Sequence, residues 1–239
     1  MIQQTPDIQT INGIAYQLDS DIPYTGKLTM YYDDGAKFSE SYYKNGKEDG
    51  LWVTWDMDGH KCSESNNKDG KSHGIETHWY NNDVISTKGQ HHKDKRIGIW
   101  RSWHTNGNIS HKGEYKNDKK HGLWTYWYSR KTFDNVYSSI IEEQMSSQMH
   151  FINGTISGAY VGWHSNGNKE IEVSFKHGLK DGLYIRWHAN GQKKVEGKYI
   201  ANIDKNRQHK TGVWSYWNEG GKLTAKETYR EGILIGELV

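Results

Sequence analysis

One cysteine, Cys62, occurs in the 239 residues, so no disulfide can form within the chain. No run of 18 or more apolar residues is present, which excludes a membrane-spanning helix. The opening residues 1–7 carry neither the basic nor the apolar stretch of a secretory signal, so a cytoplasmic location is expected. Charge of one sign is also lacking. Lys plus Arg at 31 against Asp plus Glu at 29 gives no basic excess for gripping phosphate backbones, and no nucleic acid is expected as a partner. Leu, Ile, Val and Phe together are only 41 residues, a scarcity that with high net charge would suggest disorder. The net charge is only +2, however, and 11 Trp and 16 Tyr supply large apolar surfaces. A thick aliphatic core is excluded, and a thin sheet clad in aromatic rings is expected.

What the chain does have is a repeat. Glycines before a short aromatic run stand at 26, 50, 74, 98, 122, 158, 182, 212 and 236, and six of the eight intervals are 24 residues. The other two are 36 and 30, one repeat plus 12 and one plus 6. Other positions keep register with this unit glycine. At offset five stand Tyr31, Trp55, Trp79, Trp103, Trp127, Trp163, Trp187 and Trp217. Offset two carries Trp52, Trp100, Trp124, Tyr160, Tyr184 and Trp214, with Leu28 and Glu76 as exceptions. A second glycine recurs at offset nine, usually after Asp or Asn, and Tyr43, Tyr115, Phe175, Tyr199 and Tyr229 recur at offset seventeen.

Six alternating residues, an Asn-Gly or Asp-Gly, then about nine more alternating residues spell a β-hairpin. A lone hairpin is marginal in water, but stacked neighbours bury a shared apolar band. The fold class is therefore all-β: an elongated, single-layer antiparallel meander of about eight hairpins, on the order of 70–80 Å long at roughly 9.6 Å per repeat. Residues 1–25 read as a lead-in or cap and 26–239 as the repeat array, with insertions around 131–154 and 201–211.

Strand periodicity predicts which face is buried. The odd offsets of the first strand (Leu51, Val53, Trp55) share a face, and the odd offsets of the second strand also carry apolar residues (Ile109, Ile171, Val195, Leu223). Joined, they would form one continuous buried band. The even face of the first strand would then be exposed. It carries Trp52, Trp100, Trp124, Tyr160, Tyr184 and Trp214, then Tyr126 and Tyr216, and at offset six Tyr80, His104, Tyr128, His164 and His188. Rings with polar tips favour interfaces, so this stripe is the default partner-binding surface. The plainer reading is that these rings stack laterally and only stiffen the sheet.

The two long intervals are the other candidates. Within 131–154, Asp134-Asn135 could turn a lengthened hairpin with Phe151 resuming the aromatic position; alternatively Tyr137, Ile141, Met145 and Met149 share helical spacing. Either way Tyr137, Ile141 and Met145 would form an apolar projection suited to a partner. The excess at 201–211 is polar and basic and reads as a solvated loop. Reactive constellations are missing. His164 and His188 occupy equivalent places about 10 Å apart, too far to share one zinc ion. No G-x-S-x-G elbow or phosphate-cradling loop occurs. The expectation is a non-enzyme with no metal and no cofactor.

The unit G-[LIV]-W-x-x-W-x-x-N-G, with Ile22-Pro23-Tyr24-Thr25-Gly26 leading into the first hairpin, resembles the bacterial MORN-repeat variant, whose members include the YwqK-type antitoxins. That resemblance implies a meandering β-sheet, no catalysis and neutralisation of a partner toxin. The expected function is thus a cytoplasmic antitoxin or immunity protein that occludes a cognate protein toxin. The alternative is an aromatic-repeat module binding glycan, choline or lipid, although a membrane partner is not expected without a basic stripe. Open sheet edges at both termini would allow a homodimer.

Overall fold

The computed structural model describes residues 3–129 and 144–238, and all regular structure among them is β-strand. Nineteen strands form one antiparallel meander sheet that does not close, and Ile8–Ile11 and Ile14–Gln17 form a separate two-stranded ribbon. By contact density the chain divides into two compact units. Unit 1 is residues 1–109 with 115–118, and unit 2 is residues 110–114 with 119–239. Both are built from the same two turns and two bulges.

The first turn follows the offset-five tryptophan. In unit 2 the His164 N–H donates to Asn168 O at 2.8 Å, and the Gly167 N–H to His164 O at 2.9 Å. Gly167 sits at φ 92°, which L side chains adopt only with strain. Asn166 closes the turn through Oδ1, which accepts the Asn168 N–H, and its Nδ2 reaches Ala189 O in the next repeat. Just beyond, Trp163 pairs with Lys169 but Gly162 pairs with Ile171, so Glu170 is an extra residue on the returning strand. The same one-residue bulge recurs at Trp187/Lys193 and Trp217/Leu223 in unit 2 and at Trp55/Lys61 in unit 1.

That bulge overturns the expected faces. One inserted residue moves every later side chain to the opposite face. The odd positions of the second strand beyond the bulge therefore join the even positions of the first, not the odd ones, while the residue before it, such as Leu223, stays opposite the offset-five tryptophan. Unit glycines pair with the rings at offset seventeen (Gly122 with Phe151, Gly182 with Tyr199), and Tyr160 pairs with Val173.

The second turn links repeats. Asn153–Gly154 and His177–Gly178 have positive φ at both residues, as a type I′ turn requires. The unit glycine serves the second bulge. Phe175 pairs with Lys180 and Val173 with Tyr184, leaving two excess residues opposite, and Gly182 takes φ 104° among them.

The structure resolves the two long intervals differently. Met145–Ile152 is a strand paired with Lys119–Trp127, and Phe151 takes the usual ring position opposite Gly122. Met145 and Met149 are thus in a strand rather than a helix; Asp134, Asn135, Tyr137 and Ile141 lie outside the described residues. The six extra residues at 201–211 are not a free loop. They lengthen a hairpin, with Ala201 paired to Gln208 and Asn202 to Arg207. Tertiary pairing overrode the local polarity that suggested a loop.

In unit 1, Gln3–Thr5 pairs with Gly26–Tyr31, and the small ribbon is fastened beside it. Buried Ala15 donates its N–H to Gly46 O and accepts from Tyr24 N, both at 2.8 Å.

The core of each unit is a ring on a glycine. A Cβ built on Gly113 would lie 2.2 Å from the Trp124 indole, on Gly89 2.1 Å from Trp100, and on Gly197 2.2 Å from Trp214. Where the neighbouring strand carries a larger residue, a smaller ring faces it: Tyr160 opposite Met149 and Tyr184 opposite Val173. Gly113→Ala is expected to destabilise unit 2 by ~1–3 kcal/mol through overpacking, read as a lower urea midpoint.

Candidate functional site

The ring face carries, besides the offset-two rings, a cation two residues before each of several unit glycines. In unit 2 it is paired directly across from an offset-seventeen ring: Lys180 opposite Phe175, Lys210 opposite Tyr199. Lys120 Nζ lies 4.3 Å from the Trp124 ring and 5.4 Å from Phe151, and Lys180 5.0 Å from Tyr184. Lys210 lies 4.5 Å from Trp214 and 4.6 Å from Tyr229. Burial works against the Lys210 charge, but the Tyr216 and Tyr229 hydroxyls outweigh it and hold the ammonium above its ordinary pKa. In unit 1 Arg96 takes the same place, 4.0 Å from Tyr115. Each cation caps the rings it sits over.

This capping corrects the expected exposed stripe. Trp100, Trp124 and Trp214 are only 8%, 1% and 2% exposed. The indole Nε1 atoms are also directed inward, Trp100 to Gln90 O at 3.3 Å and Trp124 to Glu114 O at 3.1 Å. Tyr126, Tyr160 and Tyr184 are half-buried, with Tyr126 stacked 5.4 Å from His111. Of the offset-two tryptophans, Trp52 alone is open, at 38%. Its pairing partner on the preceding strand is Ser41, not glycine.

The offset-six polar tips are committed as well. In unit 1 the Tyr32 and Tyr80 hydroxyls donate to Trp55 O and Trp103 O at 3.0 and 2.8 Å. In unit 2 Tyr128 donates to Trp163 O at 2.7 Å, while His164 and His188 place Nε2 3.1 and 2.9 Å from Trp187 O and Trp217 O. A carbonyl only accepts, so in both contacts the imidazole Nε2–H is the donor. His104 is half-buried in the matching turn. Met145 is half-buried beside Trp127, its pairing partner.

Accessible apolar surface lies on the other face, at offset one. Leu51, Ile75 and Ile99 in unit 1 and Leu123, Leu183 and Val213 in unit 2 are exposed, Ile75 at 55% and Leu123 at 53%. Lysine–glutamate pairs border them: Lys37–Glu40 and Lys61–Glu64 in unit 1, Lys169–Glu172 and Lys193–Glu196 in unit 2. Each of these lysines also lies over an offset-five tryptophan of the next repeat, 4.9 Å for Lys37 and Trp55. The aliphatic row was missed although its signal, an apolar residue directly after the unit glycine, recurs in the sequence.

Asp56, Asp58 and His60 bring three potential ligand atoms together in one turn of unit 1. Asp56 already accepts the Asp58 and His60 N–H groups, so the cluster is accounted for by turn closure.

The sequence model described as MORN repeat variant matches residues 24–47, 96–117, 180–201 and 210–231. No curated protein matches the chain.

The third repeat departs from the ring pattern. Glu76 replaces the offset-two ring, with His78 at offset four and His91 at offset seventeen. Glu76 Oε1 bonds His78 Nε2, while His91 Nδ1 lies 2.8 Å from Oε2, within ion-pair reach but off line for a hydrogen bond. The bond to Glu76 raises His78 above its ordinary 6.5, and the bond to His78 holds Glu76 below its ordinary 4.5. The raised histidine stabilises the fold below about pH 6.5 and loses that contribution as pH rises through its folded value. The lowered glutamate stabilises above about pH 4.5 and loses it as pH falls through its folded value. Wild type should therefore gain stability between these limits relative to Glu76→Gln, measured as the urea midpoint against pH; parallel profiles would contradict the pairing.

Proposed function

We propose that this chain is a non-catalytic protein-binding scaffold of the antitoxin or immunity kind, which binds a cognate toxin and occludes its active site. The MORN-variant repeats support the scaffold reading. The observation that carries the reading is the row of exposed aliphatic side chains at offset one. Leu51, Ile75 and Ile99 in unit 1, and Leu183 and Val213 in unit 2, are successively two strand spacings apart, roughly 9.6 Å, while Leu123 and Leu183 stand four apart with Ala159 at offset one between them. Their face combines an apolar centre with a charged border, the arrangement of a protein interface. The ring face serves this surface indirectly, by holding the strands that display it.

The partner contact thus moves from Trp100, Trp124 and Trp214 to Ile75, Ile99, Leu123 and Leu183. Co-expression with the toxin of the neighbouring open reading frame tests the assignment. Ile75→Asp/Ile99→Asp and Leu123→Asp/Leu183→Asp should each weaken complex formation by about thirtyfold or more, the loss of a central apolar anchor. Circular dichroism and the urea midpoint should stay at wild-type values. Undiminished protection by both variants, or no complex with the wild-type chain, would refute the proposal.

A further inference from the structure

Three successive turns of unit 1 have positive φ at both central residues: Asn45–Gly46 (50°, 74°), Asp69–Gly70 (53°, 77°) and Lys93–Asp94 (50°, 67°). Turns this tight put the flanking residues directly opposite one another. Lys44 faces Lys47, Lys68 faces Lys71 and His92 faces Lys95. Like charges in direct cross-strand opposition destabilise a sheet. Two neighbouring hairpins carry such a lysine pair at the same end, and the third sets His92 against Lys95; the two lysine pairs break a local rule of sheet stability, as functional sites do.

The charges converge on a cavity. Lys47, Lys68, Lys71 and Lys93, with His73, His92 and Asp69, line a recess of about 510 Å³. The His73 and His92 rings stand 4.9 Å apart, tilted by 53°. The Lys47 stem packs beside Gly70, where an added Cβ would meet Lys47 Cβ at 3.8 Å. Neighbouring carboxylates are engaged elsewhere: Asp49 accepts the Asp69 N–H at 3.3 Å and Asp94 the Ser72 N–H at 2.8 Å. Among the described residues none of the four lysines is in an ion pair, whereas Lys37 and Lys61 of the same unit each hold a glutamate. Four lysines thus line one recess in which Asp69 is the one lining carboxylate, and two imidazoles complete the lining.

We propose that this recess binds a compact polyanion of two or three linked phosphoryl groups, free in solution. Three lysines on separate strands (Lys47, Lys68, Lys71) and Lys93 in the adjoining turn supply point charges at several spacings, which a chain of phosphoryl oxygens can bridge. Single carboxylates or monophosphates meet too few of them. The site is independent of the protein that the aliphatic row binds.

Isothermal titration of the full chain with inorganic pyrophosphate and inorganic triphosphate tests the proposal. One-to-one binding that weakens with added salt is expected. Lys71→Gln and Lys93→Gln should each cost about tenfold in affinity, and Lys222→Gln, remote in sequence and in the other unit, should cost nothing. Absence of binding by either anion would overturn the site, as would equal affinity in the Lys71→Gln/Lys93→Gln double variant. Sedimentation with vesicles bearing phosphorylated headgroups, without affinity for the free anions, would also overturn it.

Discussion

An indole laid flat on a glycine of the neighbouring strand is the contact on which the rest of each unit depends. The chain is poor in aliphatic residues, so apolar burial must come from rings. A tryptophan buries about 150–250 Å², worth roughly 4–6 kcal/mol as an upper bound. That burial needs a backbone the ring can approach, and Gly89, Gly113 and Gly197 supply it beneath Trp100, Trp124 and Trp214. From above, Arg96, Lys120 and Lys210 close over the same rings. Within each unit the sheet thereby builds a core from rings, the glycines beneath them and the cations above.

Once the rings are fixed, the remaining features follow from strand register. The Tyr and His side chains at offset six and the Asn side chains of the first turn reach carbonyls of the next repeat, so each hairpin is tied to its neighbour outside the ladder as well as within it. The polar tips that make such residues attractive for partner binding are spent on cohesion. The opposite face buries offset-three residues such as Val53 and Thr125 and carries the aliphatic row and the lysine–glutamate pairs at its surface.

The repeat, its hairpin content and the meander were legible because the unit glycine and the turn glycine are punctuation, and neither depends on distant contacts. The return of Phe151 to the usual ring position was legible for the same reason. The assignment of faces was not. It turns on one extra residue such as Glu170, whose identity varies from repeat to repeat and which leaves the periodicity of each strand intact. Counting parity through the turn without it sent Trp124 to solvent and Leu51 to the interior, the reverse of what the register produces, whereas Val53 on the face of Leu51 is buried as parity expected. The lysine recess was hidden by a different averaging: the net charge of +2 conceals a local excess that appears only when three turns lie side by side.

The two faces make opposite demands on substitution. The ring face tolerates little change in volume, since glycine and indole are matched pair by pair, whereas the aliphatic row is constrained only by what it contacts. The matching is most directly tested by a double-mutant cycle joining Gly113→Ala and Trp124→Leu in urea unfolding. If the ring rests on the glycine, alanine costs at least ~1 kcal/mol less in the leucine background than in wild type, a coupling typical of residues in contact. Equal cost in both backgrounds would mean that the indole does not lie on Gly113, and the account of the core would fall with it.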